Sequence, residues 1–226
     1  MAEFSTIPQA KLADTVVASI RAAIQQNQLA PDEQLSEEAL ARSFGVSRGP
    51  IREAIKRLNL EGLVVMRPNR RALVASLSKS KVNEVFQIRL TLELLAIRQL
   101  MSADADMDLS RFEAVLAKMR SIASRDITVH EAVEIDLTFH DCIYELSGYP
   151  ILNQLWQILR PQTGLFLNSR NRQYPNYAKI LFPQHNKIFL AIKARNTKRG
   201  VALITAHMKG AHEELMRTFA PTKPET

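Results

Sequence analysis

Leu35–Val65 reads LSEEALARSFGVSRGPIREAIKRLNLEGLVV, and this stretch decides the fold of the N-terminal third. Ser36 followed by Glu37 and Glu38 is an N-cap with two acids in the first turn, where the helix dipole favours negative charge. The helix it opens carries Leu40, Ala41 and Phe44. It stops at Gly45, a residue suited to the left-handed conformation that ends helices. Ser47 is a second N-cap, and Pro50 falls in the first turn of the next helix, where its missing N–H costs nothing. Ile51, Ala54, Ile55 and Leu58 recur at helical spacing and mark the buried face of that helix, which Gly62 ends. Leu63–Met66 and Ala72–Ala75 are short apolar runs joined by Pro68-Asn69-Arg70-Arg71, the pattern of a β-hairpin. Upstream, Leu12, Val16, Ile20, Ala23 and Ile24 give one apolar face to a helix over 9–28, broken by Leu29-Ala30-Pro31-Asp32. Residues 1–78 therefore predict a winged helix-turn-helix of three helices and a hairpin.

The chemistry of that unit is basic. Between Arg42 and Arg71 stand eight Lys and Arg against two acids, Glu53 and Glu61. A single exposed arginine is ordinarily only a solvated charge, but here one face of one motif gathers several. With Ile51, Ala54, Ile55 and Leu58 turned inward, Arg48, Gly49, Arg52 and Lys56 face outward. Arg48 and Arg52 lie one turn apart at the end of the second helix that enters the major groove in such motifs. Arginine can bond guanine O6 and N7 together. Gly49 has no side chain to hold the backbone off a base or phosphate. Ser47 at the helix N-terminus, Arg42, and the wing residues Arg67, Arg70 and Arg71 complete the expected DNA contacts, the helix termini as phosphate sites.

Ser76–Lys81 (SLSKSK) reads as a linker, and no strand signal follows it. Residues 79–226 predict an all-α bundle of six helices, over 80–103, 108–124, 129–147, 150–172, 177–195 and 197–219, punctuated by Pro150, Pro175 and Pro183. The whole chain is thus expected to be mostly α. Within the bundle, Asp136 and His140 share the apolar face of one helix at i, i+4. His185 lies on the stripe of Ile188, Phe189 and Ile192, and His207 on that of Ile204 and Ala211. A buried Asp needs a partner or a metal, and imidazole with carboxylate suits Zn²⁺, Ni²⁺ or Mn²⁺. Taken singly, each histidine reads as a hydrogen-bonded core residue; taken together, the four read as a divalent-metal site, zinc first. His130 and His212 fall off the stripes and read as surface residues. Arg89 is either the i, i+4 ion-pair partner of Glu93 or a clamp that grips a small carboxylate effector beside the metal. Trp156, Leu159 and Phe166 read as core or pocket wall.

The run LSEEALARSFGVSRGPIREAIKRLNLEGLVV resembles the N-terminal domain of the GntR family of bacterial regulators. The resemblance implies that Arg48 and Arg52 touch bases or phosphates. At the wing tip Arg71 stands where the family often has glycine, and Asn69 is the residue able to take positive φ instead. The segments DLTFH, HNKIFLAIK and ALITAHM resemble the FCD effector domain of the FadR-type branch, and six helices rather than seven point to its VanR-like subgroup. That resemblance implies a divalent metal on Asp136, His140, His185 and His207 and a small organic acid as effector. It further implies a homodimeric regulator, a repressor first, on a palindromic operator.

The charge balance of the chain, 30 Lys and Arg against 23 Asp and Glu, agrees with a double-stranded DNA partner. No apolar run is long enough to span a bilayer, and one cysteine, Cys142, excludes an internal disulfide framework. A cytoplasmic protein without a membrane partner is expected. An enzyme is not expected, since no general acid, base or nucleophile stands beside the metal ligands. The rival readings are a metal-dependent hydrolase or lyase joined to a DNA-binding module, and a sensor of the metal itself.

Overall fold

The computed structural model of the chain describes residues 9–68, 71–102, 107–174 and 176–219. It comprises two compact units, Met1–Leu77 and Ser78–Thr226. In the first, α1 (Gln9–Gln25), α2 (Glu37–Phe44) and α3 (Arg48–Leu60) combine with β1 (Gln34–Leu35), β2 (Val64–Arg67) and β3 (Arg71–Val74). The sheet is antiparallel in the order β1-β3-β2. The two-residue β1 has no signal in the sequence: it is too short for any periodicity and exists only because β3 offers it a free edge.

The helix ends follow from local chemistry. α1 stops three residues before the expected end because Asn27 takes φ 61°, which no α-helix continues. Ser36 caps α2 by accepting from the Ala39 N–H, and Gly45 closes it at φ 65° with its N–H bonded back to Ala41 and Arg42 carbonyls. Ser47 holds the N-cap position of α3, but against expectation its side chain makes no cap bond. Ile51, Ala54 and Leu58 of α3 are wholly buried, Val16 and Ile20 of α1 nearly so, and the two helices pack on each other. Each such Ile or Leu contributes about 2 kcal/mol. That outweighs the few tenths by which β-branched isoleucine disfavours a helix. Ion pairs Arg21–Glu61 (2.5 Å) and Arg57–Asp14 (2.5 Å) join the same two helices.

The second unit is α4 (Lys79–Ser102), α5 (Ser110–Ile122), α6 (Val129–Leu146), α7 (Pro150–Asn171), α8 (Tyr177–Lys193) and α9 (Thr197–Arg217). All six expected helices are present. The linker SLSKSK is shorter than expected, since Ser78 accepts from the Lys81 N–H and starts α4 inside it. Trp156, Tyr144, Phe112 and Phe139 are wholly buried at its centre. Pro175 lies outside the described residues. Pro183 does not separate helices: it sits within α8. A prolyl residue there costs about 3 kcal/mol. The buried stripe of Leu181, His185, Ile188, Phe189 and Ile192 on the same helix returns more than that, and Pro183 itself faces outward.

Gly45 offers a direct check. A Cβ placed there would meet nothing within 4 Å, so Gly45→Ala should cost only the conformational term of about 1 kcal/mol. Calorimetry should show the first unit melting roughly 4–8 °C lower.

Candidate functional site

Two sites emerge, one in each unit. In the first, Arg48, Gly49, Arg52 and Lys56 all lie exposed along α3, as do Ser47 and Arg42 before it. Two of these arginines are held by α2. Arg52 Nε lies 2.7 Å from Glu37 Oε2, and Arg48 Nη2 lies 3.4 Å from Glu38 Oε2, which also meets Arg42 through its other oxygen at 3.6 Å. The two acids of the α2 first turn thus have a second task that the sequence reading missed. Around Gly49 there is open space: a Cβ added to it would meet only Ser47 Oγ, at 3.8 Å. No packing within the unit requires glycine there. On the hairpin, Arg67 and Arg71 face each other across the strands. Like charges directly opposed are unfavourable, and a polyanion would relieve them. Arg70 and Asn69 lie outside the described residues.

The second site is the interior of the helical unit. One donor atom from each of Asp136, His140, His185 and His207 lies within 4.8 Å of every other. Asp136 and His140 come from α6, His185 from α8 and His207 from α9. The first three are buried and His207 is partly exposed. Each histidine has its Nδ1 occupied. His140 Nδ1 faces Glu93 Oε1 at 2.7 Å, His185 Nδ1 the Leu181 carbonyl at 2.8 Å, and His207 Nδ1 the Gln184 amide oxygen at 3.2 Å. These partners accept only, so the ring proton belongs on Nδ1 and the Nε2 lone pair is free. His185 Nε2 then stands 2.7 Å from Asp136 Oδ1, and His140 Nε2 stands 3.7 Å from the same oxygen. None of these three atoms has a hydrogen-bond partner among the described residues. Buried lone pairs pointed at one another are strongly unfavourable unless a cation lies among them. Tyr177 donates its O–H to the remaining oxygen, Asp136 Oδ2.

With no cation among them, the rings themselves must supply the positive charge that keeps Asp136 ionised. Burial opposes ionisation of Asp136, but the facing His185, with His140 and His207, outweighs it and holds the carboxyl well below the usual carboxylate range. Burial, then the nearby His185, pushes His207 well below the usual histidine range, so it presents a neutral ring. Glu93, fully buried, likewise stays ionised despite its burial, held down first by His140 and then by Arg89. Three His and one Asp with fixed tautomers suit a divalent cation.

A cavity of about 410 Å³, counting its open mouth, adjoins α4, α7 and α9. Arg89 and Arg170 both line it, with Thr163 and His212 between apolar walls that include Phe86 and Phe166. Arg89 is almost wholly buried, and its Nε and Nη2 have no hydrogen-bond partner among the described residues. It does sit near Glu93, but at 3.7 Å, and its guanidinium lies 5.2 Å from the Trp156 ring. Arg89 is therefore a loose ion-pair partner of Glu93 with donors left over. His212 is a correction. It is not a surface residue but half-buried, stacked on Phe86 at 4.0 Å and bonded to Asn83 at 2.7 Å. His130 is also half-buried. Trp156 is core, its indole N–H fixed by Asp141 at 2.7 Å. Arg170, Glu93 and Tyr177 escaped the sequence reading as members of these sites. Only Glu93, on the buried stripe of Arg89, left a trace that could have been followed.

A group whose pKa is lower folded than unfolded stabilises the fold above its unfolded value, and loses that effect as pH falls through the folded one. For Asp136 the loss starts near about pH 4 and continues below it. In chelator-treated protein, Asp136→Asn should flatten this acid limb of stability measured by urea unfolding. A limb of unchanged steepness would place the responsible carboxylate elsewhere.

Comparison with known proteins closes the assignment. The FCD domain profile matches residues 84–210, and that of the bacterial regulatory proteins of the gntR family matches residues 12–74. The gluconate operon transcriptional repressor of Bacillus licheniformis is 30% identical over 168 residues, 72% of this chain and 68% of that one. The transcriptional repressor RspR of Escherichia coli is 25% identical over 83% of this chain and 81% of its own. The fold matches that of a GntR transcriptional regulator from Rhodococcus sp. RHA1 with a TM-score of 0.77 at 21% identity, covering 92% of this chain and 99% of the other. Among the described residues no helix is long and apolar enough to cross a membrane. With both profiles in the order the two units require, the chain belongs to the GntR family of bacterial transcriptional regulators and carries an FCD domain.

Proposed function

We propose that this chain is a cytoplasmic, homodimeric repressor of the FadR-type, VanR-like subgroup whose grip on a palindromic operator is set by a small organic acid. The observation that carries the input side is the convergence of three imidazoles, each with Nδ1 occupied, on the Asp136 carboxylate. Asp136, His140, His185 and His207 would hold a divalent metal, zinc first and nickel or manganese as alternatives. Such an ion supplies Lewis acidity and open coordination positions toward a carboxylate. Arg89, with donors unspent in the neighbouring cavity, takes part in effector binding, and the second guanidinium of Arg170 favours an anion there. Two relatives named as repressors support the direction of regulation.

On the output side, residues 1–78 are the DNA-binding domain and residues 79–226 the effector and dimerisation domain. Ser47, Arg48, Gly49, Arg52 and Lys56 meet the major groove, with Arg42, Arg67, Arg70 and Arg71 on the flanking backbone. The pairs of Arg48 and Arg52 with Glu38 and Glu37 do not stand in the way. Exposed pairs are worth about 0–1 kcal/mol, whereas a bidentate guanine contact gives about 1–3 kcal/mol. Two such units meet two half-sites one helical turn apart. Effector and operator binding then oppose each other through a coupling free energy.

Two measurements test this reading. Arg52→Ala should weaken operator binding by roughly tenfold to a hundredfold while binding to bulk DNA falls far less; equal losses on both would remove Arg52 from base reading. Metal content and acid binding should part company in a second pair of variants. His140→Ala should lose the metal, while Arg89→Ala should keep it and lose operator release by added carboxylates. Full metal content in His140→Ala would reject the ligand set.

A further inference from the structure

We propose that Glu37 is a positioning residue for DNA reading: it holds Arg52 by Nε, so that both Nη groups are presented, already oriented, to a base. The inference rests on the base-reading role proposed above for Arg52 and adds the residue that aims it. An acid on this face is otherwise out of place. Arg42, Arg48, Arg52 and Lys56 gather positive charge there, and a carboxylate among them repels the phosphates they attract. Glu37 is the first residue of α2, directly after the Ser36 cap. The helix dipole explains why an acid is favourable in that turn, but not the contact this one makes. Its Oε2 accepts from Arg52 Nε at 2.7 Å, across the motif from α2 to α3 and 15 residues along the chain.

Which atom is held decides what the arginine can still do. A guanidinium can meet guanine O6 and N7 with its two terminal nitrogens. Held by Nε, Arg52 keeps that pair: its Nη groups make no hydrogen bond among the described residues. Arg57 shows the alternative. Its Nε goes to Glu53 and its Nη1 to Asp14, so both ends of the fork are occupied and the residue serves structure. Arg48 is the opposite case. Its contact with Glu38 runs through Nη2 at 3.4 Å, and that glutamate also draws on Arg42 at 3.6 Å; both lie beyond a normal hydrogen bond. Of these three arginines, Arg52 is the one held at the neck and open at the tips. The mount is firm, because Ser36 caps the start of α2 and Gly45 closes its end. The pair is weak in water, with Arg52 65% and Glu37 38% exposed, and it strengthens where a duplex displaces that water. Arg52 then has less side-chain freedom to lose on binding. The charge of Glu37 weakens binding to every duplex alike, so it cancels when two duplexes are compared. The orientation of Arg52 counts only where there is a base to read.

Binding of the full chain to two duplexes tests this. One is the sequence that wild type selects from a random pool, the other a scrambled duplex of the same composition, and the readout is the ratio of the two affinities. E37A should lower that ratio roughly threefold to tenfold. E37Q keeps an oxygen for Arg52 Nε and should stay near the wild-type ratio. Both should bind the scrambled duplex roughly twofold to threefold more tightly, having lost one negative charge. E37D separates reach from charge: it keeps the acid in the first turn but draws it back by one methylene. It should lower the ratio as E37A does while binding the scrambled duplex like wild type. The double variant E37A/R52A should fall no further than R52A, because the effect of Glu37 passes through Arg52. If R52A loses the ratio while E37D and E37A keep it, the role of Glu37 is overturned and Arg52 remains a base reader. R52A at the wild-type ratio, or a wild type that selects no sequence, would overturn both.

Discussion

The helical unit is organised around a carboxylate that cannot be left alone. Asp136 lies in the interior, 2% exposed, where an unpaired charge costs several kcal/mol. Everything near it is arranged to meet that cost. Tyr177 donates to one oxygen, and His185 and His140 face the other. The imidazoles are themselves held from behind by groups that only accept hydrogen bonds, which fixes which nitrogen faces inward. The demand then propagates outward. Holding His140 requires a buried Glu93, and a buried Glu93 requires Arg89 and His140 to keep it ionised. The polar core is thus a chain of obligations that ends in lone pairs, and lone pairs that converge in a dry interior call for a cation.

The N-terminal unit solves the reverse problem, keeping excess positive charge without a partner. Arg57 and Arg21 are spent on structure, tied to Asp14 and Glu61. Arg48 and Arg52 are not spent. They rest on Glu38 and Glu37 in pairs that remain more than half exposed on the arginine side, where screening leaves them weak. Such pairs hold two flexible side chains over the helix end without committing them. Arg67 and Arg71, with no acid partner among the described residues, face each other across the hairpin.

Much of this was legible in the sequence, and the reason differs by element. α2 and α3 were legible because their ends are written in local chemistry: Ser36, Gly45 and Pro50 act within a single turn of themselves. The four cluster residues were legible because helical periodicity places them on apolar stripes, and a polar residue on such a stripe must be compensated. What was not legible depends on contacts made at a distance. β1 is two residues long and is defined by β3. Tyr177 opens α8 at a position that says nothing of Asp136, 41 residues earlier. His212 looked exposed by its stripe, but Phe86 of α4 covers its ring. Pro183 looked like punctuation because propensity is local, whereas the buried face of α8 is not. In the sequence Glu93 shows only as a partner for Arg89, since periodicity cannot show that His140 reaches it across 47 residues.

That shared partner is what joins the cavity beside Arg89 to the cluster. Glu93 offers one oxygen to His140 at 2.7 Å and the other to Arg89 at 3.7 Å. The first is a full hydrogen bond and the second only a loose ion pair, so the two contacts are unequal. An anion in the cavity competes with Glu93 for the guanidinium of Arg89. Whatever charge Arg89 gives to that anion it withdraws from Glu93, which then leans more heavily on the His140 N–H. A stronger acceptor behind an imidazole makes its opposite nitrogen more basic, and for His140 that nitrogen is the one facing Asp136. Occupancy of the cavity and the donor strength of the cluster are therefore linked through one buried carboxylate. Linkage of this kind is reciprocal: if both sites are filled as proposed above, a cation that drew on His140 would also free Arg89 to hold an acid.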